Sequence, residues 1–175
     1  MTRILPKIFI ASLIAAAAAA PAVAAGAPND AQIAHIAYTA GNIDIAAAKQ
    51  ALAKSHNAAV RSFANEMVRD HTAVNDKALA LVKKLHVTPE DNPTSQALSK
   101  GAAAELKKLS SLKDGAFDKA YVNNEVAYHK TVNGALKDTL IPSARNAELK
   151  SLLQTGLTLF QEHQAHAEQL AAKLK

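Results

Sequence analysis

The chain has 175 residues, a net charge of +5 at pH 7, and a composition that is 49% hydrophobic and 4% aromatic, without cysteine. The absence of cysteine excludes disulfide bonds and a lipid-modified cysteine, so the stability of the fold must come from packing. Because the basic residues are dispersed and few aromatic side chains accompany them, the composition also argues against nucleic-acid binding.

Residues 1–25 have the pattern of an export signal. Two basic residues, Arg3 and Lys7, precede an apolar run that ends in small residues. That run is well short of the ~20 residues that span a bilayer. We therefore predict a cleavable signal peptide, cut after Ala24 or Ala25, with a periplasmic or secreted mature protein and no stable membrane anchor after cleavage.

Residues 26–175 are predicted to form a single all-helical domain. Alanine and leucine are abundant, runs of β-branched residues are missing, and the prolines after the signal lie between periodic segments. Apolar residues spaced by three and four predict a first helix from about Asp30 to Lys54. The second helix is predicted to start near Ser55 or Asn57, both suitable caps, and to end near His86.

The segment "SQALSKGAAAELKKLSSL" is predicted to form a shorter extra helix, lying across the domain in a long connection. The third main helix is predicted to run from a cap at Asp114 to about Leu140. The fourth is predicted to run from Ser143, just after Pro142, to about Leu174. Short links within each pair and a long middle connection favour a ferritin-like four-helix bundle, with the extra helix in the crossover between the second and third main helices.

Several polar side chains fall near the middle of the four main helices. They are Asp44 of the first, Asp70 and His71 of the second, Glu125 and His129 of the third, and His163 of the fourth, followed by His166. Antiparallel packing would bring them to one level. Imidazole nitrogen and carboxylate oxygen suit a divalent transition metal such as iron, zinc or copper. The spacing "HQAH" would also let His163 and His166 chelate one ion.

Two other interpretations are compatible with these residues. A hydrogen-bonded network without metal would leave the histidines structural, and the chain would then be an interaction module for an envelope protein partner. A dinuclear-metal oxidoreductase is disfavoured, because such bundles use Glu-x-x-His on two helices and no glutamate here is followed three residues later by histidine. The sequence therefore favours a non-catalytic or weakly catalytic protein with an envelope or stress-related role, and we assign no catalytic residue.

Three stretches carry a family resemblance: "AGNIDIAAAKQALAKSHNAAVRSFANEMVRDHT", "GAFDKAYVNNEVAYHKTV" and "LFQEHQAHAEQL". With them the chain resembles the bacterial domain-of-unknown-function family 4142, exported proteins with a ferritin-like helical bundle, over about residues 30–174. The recurrent pattern of the family corresponds to Asp70, His71, Phe117, Asp118, Tyr121, Val122, His129 and His163. The first helix of such proteins usually presents glutamate where this chain has Asp44. The resemblance implies the fold and export.

Overall fold

The computed structural model of the protein describes residues 26–174, and all regular structure within that range is helical. The predicted all-helical class is confirmed. The predicted signal peptide, residues 1–25, lies outside the described residues. Between residues 26 and 174, no helix combines the length and the apolar character that crossing a bilayer requires.

Within residues 26–174, six α-helices and one π-helical turn follow each other. They are α1 (Asp30–Lys54), α2 (Ala58–Lys84), α3 (Pro93–Ser111), α4 (Asp114–Ala135), the π-helical turn (Leu136–Leu140), α5 (Ile141–Ser143) and α6 (Ala147–Lys173). The predicted bounds of the first helix agree with those of α1, and the predicted extra helix corresponds to α3. Its predicted position across the domain is wrong, because α3 runs along α1: Asn92 at its start donates to the Gln32 carbonyl, and the Ser110 carbonyl near its end accepts from Lys54.

Asparagine caps the start of four helices. Asn29, Asn57, Asn92 and Asn146 each accept hydrogen bonds from backbone N–H groups of the first turn that follows. These N–H groups have no partner inside the helix, so a short side chain with an acceptor oxygen stabilises the helix start. Of the two predicted caps for α2, Asn57 takes that role.

The predicted cap of α4 is wrong. Lys113 occupies the N-cap position and no side chain caps this helix, whereas Asp114 is the first helical residue with φ of 48°. Aspartate is one of the few residues that adopt this left-handed conformation at modest cost. Its carboxylate still lies at the positive end of the helix dipole.

The predicted start of the last helix at Ser143 is also wrong. The chain stays helical through Pro142, and α6 begins only at Ala147, after its cap Asn146. Proline lacks an N–H and its ring collides with the carbonyl four residues earlier, so it usually ends a helix. Here a wider π-helical turn ends at Leu140, two residues before the proline, and the chain stays helical as far as Ser143.

The four long helices contact each other around a common interior. α1 contacts α2 and α4, α6 contacts α4 and α2, and α3 lies against α1. Two hydrogen bonds attach α3, from Gln50 Nε2 to the Leu106 carbonyl at 3.1 Å and from Lys54 Nζ to the Ser110 carbonyl at 2.8 Å. The connection between α2 and α4 is thus fixed to the outside of α1.

The buried apolar residues form two clusters at different heights. One contains Ala47, Phe63, Met67, Phe117, Tyr121 and Leu170, and the other contains Ile33, Ile36, Leu136, Leu140, Leu153 and Phe160. Along each long helix, a polar residue lies between the parts that contribute to the two clusters. We call the level between them the polar layer, and its residues are described below.

Two glycines provide a matched test of helix packing. A Cβ atom at Gly41 would lie 2.9 Å from Asn75 Cγ and closer still to its Oδ1, whereas nothing lies within 4 Å of one at Gly134. We expect Gly41→Ala to lower the free energy of unfolding by roughly 1–3 kcal/mol, because buried Asn75 would have to move. Gly134→Ala should raise it by roughly 0.5–1 kcal/mol through helix propensity. Urea denaturation measures both, and a gain for both variants would contradict the packing at Gly41.

Candidate metal centre

The polar layer consists of five side chains from all four long helices. Asp44 comes from α1, His71 from α2, Glu125 and His129 from α4, and His163 from α6, and each is at most 3% exposed. Titratable groups this deeply buried are rare unless they are paired or bind a metal. The layer is therefore the part of the interior that needs a chemical explanation.

Three imidazoles meet in the layer. The ring centroids of His71, His129 and His163 are 5.3 to 5.6 Å apart, and one ring nitrogen of each lies within 4.8 Å of the others. Because each ring comes from a different helix, the packing of α2, α4 and α6 sets their mutual positions. Three convergent nitrogens are a common donor set for a transition metal.

The hydrogen bonds of His129 define its tautomer. Its Nδ1 lies 3.0 Å from the backbone carbonyl oxygen of Glu125, which can only accept, so Nδ1 carries the proton. Nε2 is then left with a lone pair, 3.6 Å from Asp44 Oδ2 and without a hydrogen-bond partner among residues 26–174. A histidine that ligates a metal is usually oriented by its other nitrogen in this way.

His163 is oriented by a carboxylate. Its Nε2 donates to Asp70 Oδ2 at 3.1 Å, which leaves the buried Nδ1 with a lone pair and no partner in the described part of the chain. Arg69 holds the same carboxylate through bonds of 2.7 and 2.9 Å. The hydrogen bond from Arg69 keeps the pKa of Asp70 below its usual range, so Asp70 remains an acceptor for His163.

His71 is fixed by stacking rather than by hydrogen bonds. Its ring lies on Phe160 with centroids 4.5 Å apart and planes 10° from parallel. Its Nε2 is 3.5 Å from Asp44 Oδ2, and neither ring nitrogen has a hydrogen-bond partner within residues 26–174. One of these nitrogens is thus free to bind a ligand from outside the chain.

Two carboxyl groups lie beside the imidazoles. Asp44, Glu125 and His129 each place one donor atom within 4.8 Å of the others. Burial raises the pKa of Asp44 to about 7, and burial together with the nearby Asp44 raises that of Glu125 well above its usual range. Near neutral pH this pair retains protons, and a cation placed next to it would favour the ionised forms.

Burial has the opposite effect on the histidines. It lowers the pKa of His71 well below its usual value, lowers that of His129 to about 4, and lowers that of His163 as well. All three rings are therefore neutral near pH 7. Neutral imidazole is the form that coordinates a metal.

Of the seven site residues predicted from the sequence, five form the polar layer and two lie outside it. Asp70 lies on the outer side of His163, as its hydrogen-bond acceptor. His166 is half-buried and pairs through Nδ1 with Glu66 Oε2 at 2.8 Å, so it does not join His163 on one ion as the "HQAH" spacing predicted. Sequence reasoning missed the supporting role of Arg69, for which its position next to Asp70 was the only signal.

A second group of donors lies nearer the surface. Glu66 and Asp70 are partly exposed, and each places a donor atom within 4.8 Å of one on His163. Arg69 and His166 already pair with these carboxylates, which reduces their capacity to attract a cation. The interior layer is therefore the better candidate for a metal centre.

Tyrosines flank the layer on α4. Tyr128 donates its hydroxyl to the Ala40 carbonyl at 2.8 Å, as expected for a core tyrosine that finds a partner. Tyr121 lies one turn before Glu125, fully buried, and its hydroxyl has no partner among the described residues. The Tyr121 hydroxyl is therefore a further buried polar atom near the carboxyl pair.

Comparison with known proteins identifies the family. The profile described as "Domain of unknown function (DUF4142)" matches residues 15–170. No significant match was found among curated proteins or among solved structures. The predicted resemblance is confirmed: the chain belongs to the DUF4142 family.

Proposed function

We propose that this protein is an exported helical bundle that binds a divalent transition-metal ion in the polar layer. The proposed fold is a ferritin-like four-helix bundle of α1, α2, α4 and α6, with α3 in the crossover. The contacts of α1 and α6 with both α2 and α4 support this arrangement. The proposed role is metal binding in the cell envelope, without an assigned reaction.

One observation carries the proposal. Three buried, neutral imidazoles from three helices converge, and at least one nitrogen of each has no hydrogen-bond partner among residues 26–174. A purely structural polar network would be expected to satisfy its own donors and acceptors. The orphaned nitrogens and the neighbouring carboxyl oxygens instead form a donor set that suits a cation.

The donor types favour particular metals. His71, His129 and His163 would hold the ion together with Asp44, while Glu125 would balance its charge. Imidazole nitrogen selects zinc, copper or iron over magnesium and calcium, which prefer oxygen donors. A bound ion of this kind would supply Lewis acidity, and iron or copper would also supply one-electron chemistry.

Isothermal titration of the purified, metal-stripped protein with zinc, copper, iron and manganese tests the proposal. We expect one ion per chain for the wild type, and loss of binding in His71→Ala and His163→Ala. His56→Ala is the matched control, because His56 is exposed and outside the layer. Absence of binding for all four metals in the wild type would refute the proposal.

Asp70 provides a test of the supporting contacts. Asp70→Ala removes the acceptor that orients His163, and such changes typically weaken metal affinity about 10- to 100-fold. We expect a loss of this size by calorimetry, with Asp76→Ala, an exposed aspartate of the same helix, as the control. Equal affinities for the two variants would show that Asp70 does not position His163.

A dinuclear centre is the second candidate. The groups His71–His129–His163 and Asp44–Glu125–His129 share His129, whose single available nitrogen can bind only one ion, so a second neighbouring ion would be held mainly by Asp44 and Glu125. A stoichiometry of two ions per chain, together with dioxygen consumption by the iron-loaded protein, would favour this oxidoreductase alternative over a single-ion site. A stoichiometry of one would exclude it.

Export is a separate part of the proposal. It is supported by the charge and apolar pattern of residues 1–25. Mass spectrometry of the protein from the native cell should find a mature amino terminus at Ala25 or Gly26, in the periplasmic or secreted fraction. A mature chain that still contains Arg3 and Lys7 would contradict a cleaved signal.

A further inference from the structure

A large apolar cavity adjoins the polar layer. Its volume is about 640 Å³, and its walls come from α1, α2, the start of α3, α4 with the π-helical turn, and α6, together with residues 26–28. Interiors of folded proteins are close-packed, with few voids larger than a water molecule, whereas pockets for organic ligands measure roughly 300–1,000 Å³. The cavity therefore has the size of a ligand site rather than of a packing defect.

The cavity is elongated along the helices. On α2 its lining extends from His71 to Val82, and on α6 from Leu149 to Phe160. At 1.5 Å per residue, both stretches are about 16 Å long. This shape suits an extended chain better than a compact ring system.

Most of the wall is aliphatic, and small residues keep it open. Ala40, Ala78 and Gly156 line the cavity from three different helices, next to larger residues such as Val74 and Leu153. No long side chain fills the space at these three positions. The free energy of burying apolar surface would thus favour entry of a hydrocarbon.

Polar side chains line both ends of the cavity, and Gln32, Asn92 and Thr94 lie at the end away from the polar layer. His71 and His129 line the end at the polar layer, and the ring nitrogens of His71 have no hydrogen-bond partner in residues 26–174. A neutral imidazole always carries one N–H donor. One His71 nitrogen therefore carries a proton whether or not the other nitrogen binds a metal. An oxygen-bearing group at this end of the cavity would accept a hydrogen bond from that N–H.

We propose that the cavity binds a long-chain fatty acid, with the carboxyl end at His71 and the hydrocarbon chain between the aliphatic walls. The proposal goes beyond metal binding and does not depend on it, because the walls and the volume are independent of any ion. It adds a lipid-binding activity to the protein. No covalent step is involved.

Displacement of a fluorescent fatty acid, cis-parinaric acid, by palmitate tests the proposal on the metal-stripped full protein. The wild type should bind the probe saturably at one site. Gly156→Leu and Ala78→Leu should fill the cavity from two different helices, α6 and α2, and weaken binding at least about 10-fold. A Cβ at Gly156 would meet only the Phe160 ring, at 3.5 and 3.8 Å, so the first variant adds its side chain without a clash at Cβ.

Ala165→Leu is the control, because Ala165 is exposed on α6. It should bind like the wild type, and all three variants should retain a cooperative thermal transition. If Gly156→Leu fails to fold, Ala78→Leu alone decides. Absence of saturable binding to the wild type, undiminished binding in a folded cavity-filling variant, or selective binding of a quinone instead of palmitate would each overturn the proposal. Fatty-acid binding without metal binding, or the reverse, would separate this proposal from that of the metal centre.

Discussion

Replacing Asp44 by asparagine is expected to stabilise the metal-free protein at pH 8, while it weakens metal binding. Burial raises the pKa of Asp44 from 3.8 to about 7, so at pH 8 the folded protein contains an ionised carboxylate in a site that disfavours the charge. Each pKa unit corresponds to about 1.4 kcal/mol, and we expect a gain in the free energy of unfolding of roughly 2–4 kcal/mol.

The sign of the pH dependence follows from the same pKa. Between pH 3.8 and about 7, folded Asp44 binds more protons than unfolded Asp44, so its contribution to stability falls as the pH rises. The gain from Asp44→Asn should therefore shrink steadily as the pH falls from 8 towards 4. Urea denaturation of the metal-stripped variant and wild type across this range measures the difference.

Asp76→Asn serves as the control, because Asp76 is exposed on α2 and should show no comparable gain. A loss of stability in Asp44→Asn at pH 8 would mean that the carboxylate is favourable in the metal-free layer. The same variant should lose metal affinity, because an amide lacks the charge that balances a divalent ion. A residue that lowers stability and raises affinity is typical of a binding site.

Adding the metal ion that the protein binds is expected to raise the free energy of unfolding of the wild type by about 4 kcal/mol, when the concentration of the free ion exceeds its Kd about 1,000-fold. Thermal unfolding with and without the ion measures this, and His71→Ala should lose the effect while His56→Ala retains it. Magnesium, which prefers oxygen donors, should stabilise far less. Equal stabilisation of all variants would place the ion elsewhere on the protein.

This stabilisation should weaken as the pH falls from 8 to 6. The ion needs ionised Asp44, and below the pKa of about 7 a proton competes for that carboxylate. Affinity should fall towards a limit of about tenfold per pH unit for one displaced proton. Protonation of His129 contributes little in this range, since burial lowers its pKa to about 4. An affinity that is constant between pH 6 and 8 would exclude Asp44 as a ligand.

The long helices and the height of the polar layer could be predicted from local rules. Apolar spacing and cap residues gave α1 its bounds, and the rise per residue was enough to place Asp44, His71 and His163 at one level. The π-helical turn and the continuation through Pro142 could not be predicted in this way. They depend on how α4 and α6 pack, which no local pattern encodes.

The roles of adjacent polar residues were harder to predict. Asp70 and His71 are neighbours, and successive residues on a helix point about 100° apart, so both could not enter the same interior. His71 faces inwards and Asp70 faces the edge, where Arg69 and His163 meet it. His166 lies outside the polar layer because it pairs with Glu66 of the neighbouring helix α2. Only the tertiary structure defines that contact.

The polar layer is enclosed by an apolar cluster on each side, and this has an electrostatic consequence. Apolar side chains surround the layer in both directions along the helices, packed together on one side and lining the cavity on the other, so the local dielectric constant is low and charges interact more strongly there than at the surface. The two apolar clusters hold α1, α2, α4 and α6 together on both sides of the polar layer. These helices therefore cannot shift along one another at the level of the layer. A longer acid at position 44, glutamate, would then shorten the distance from the carboxylate to a cation without shifting the imidazoles.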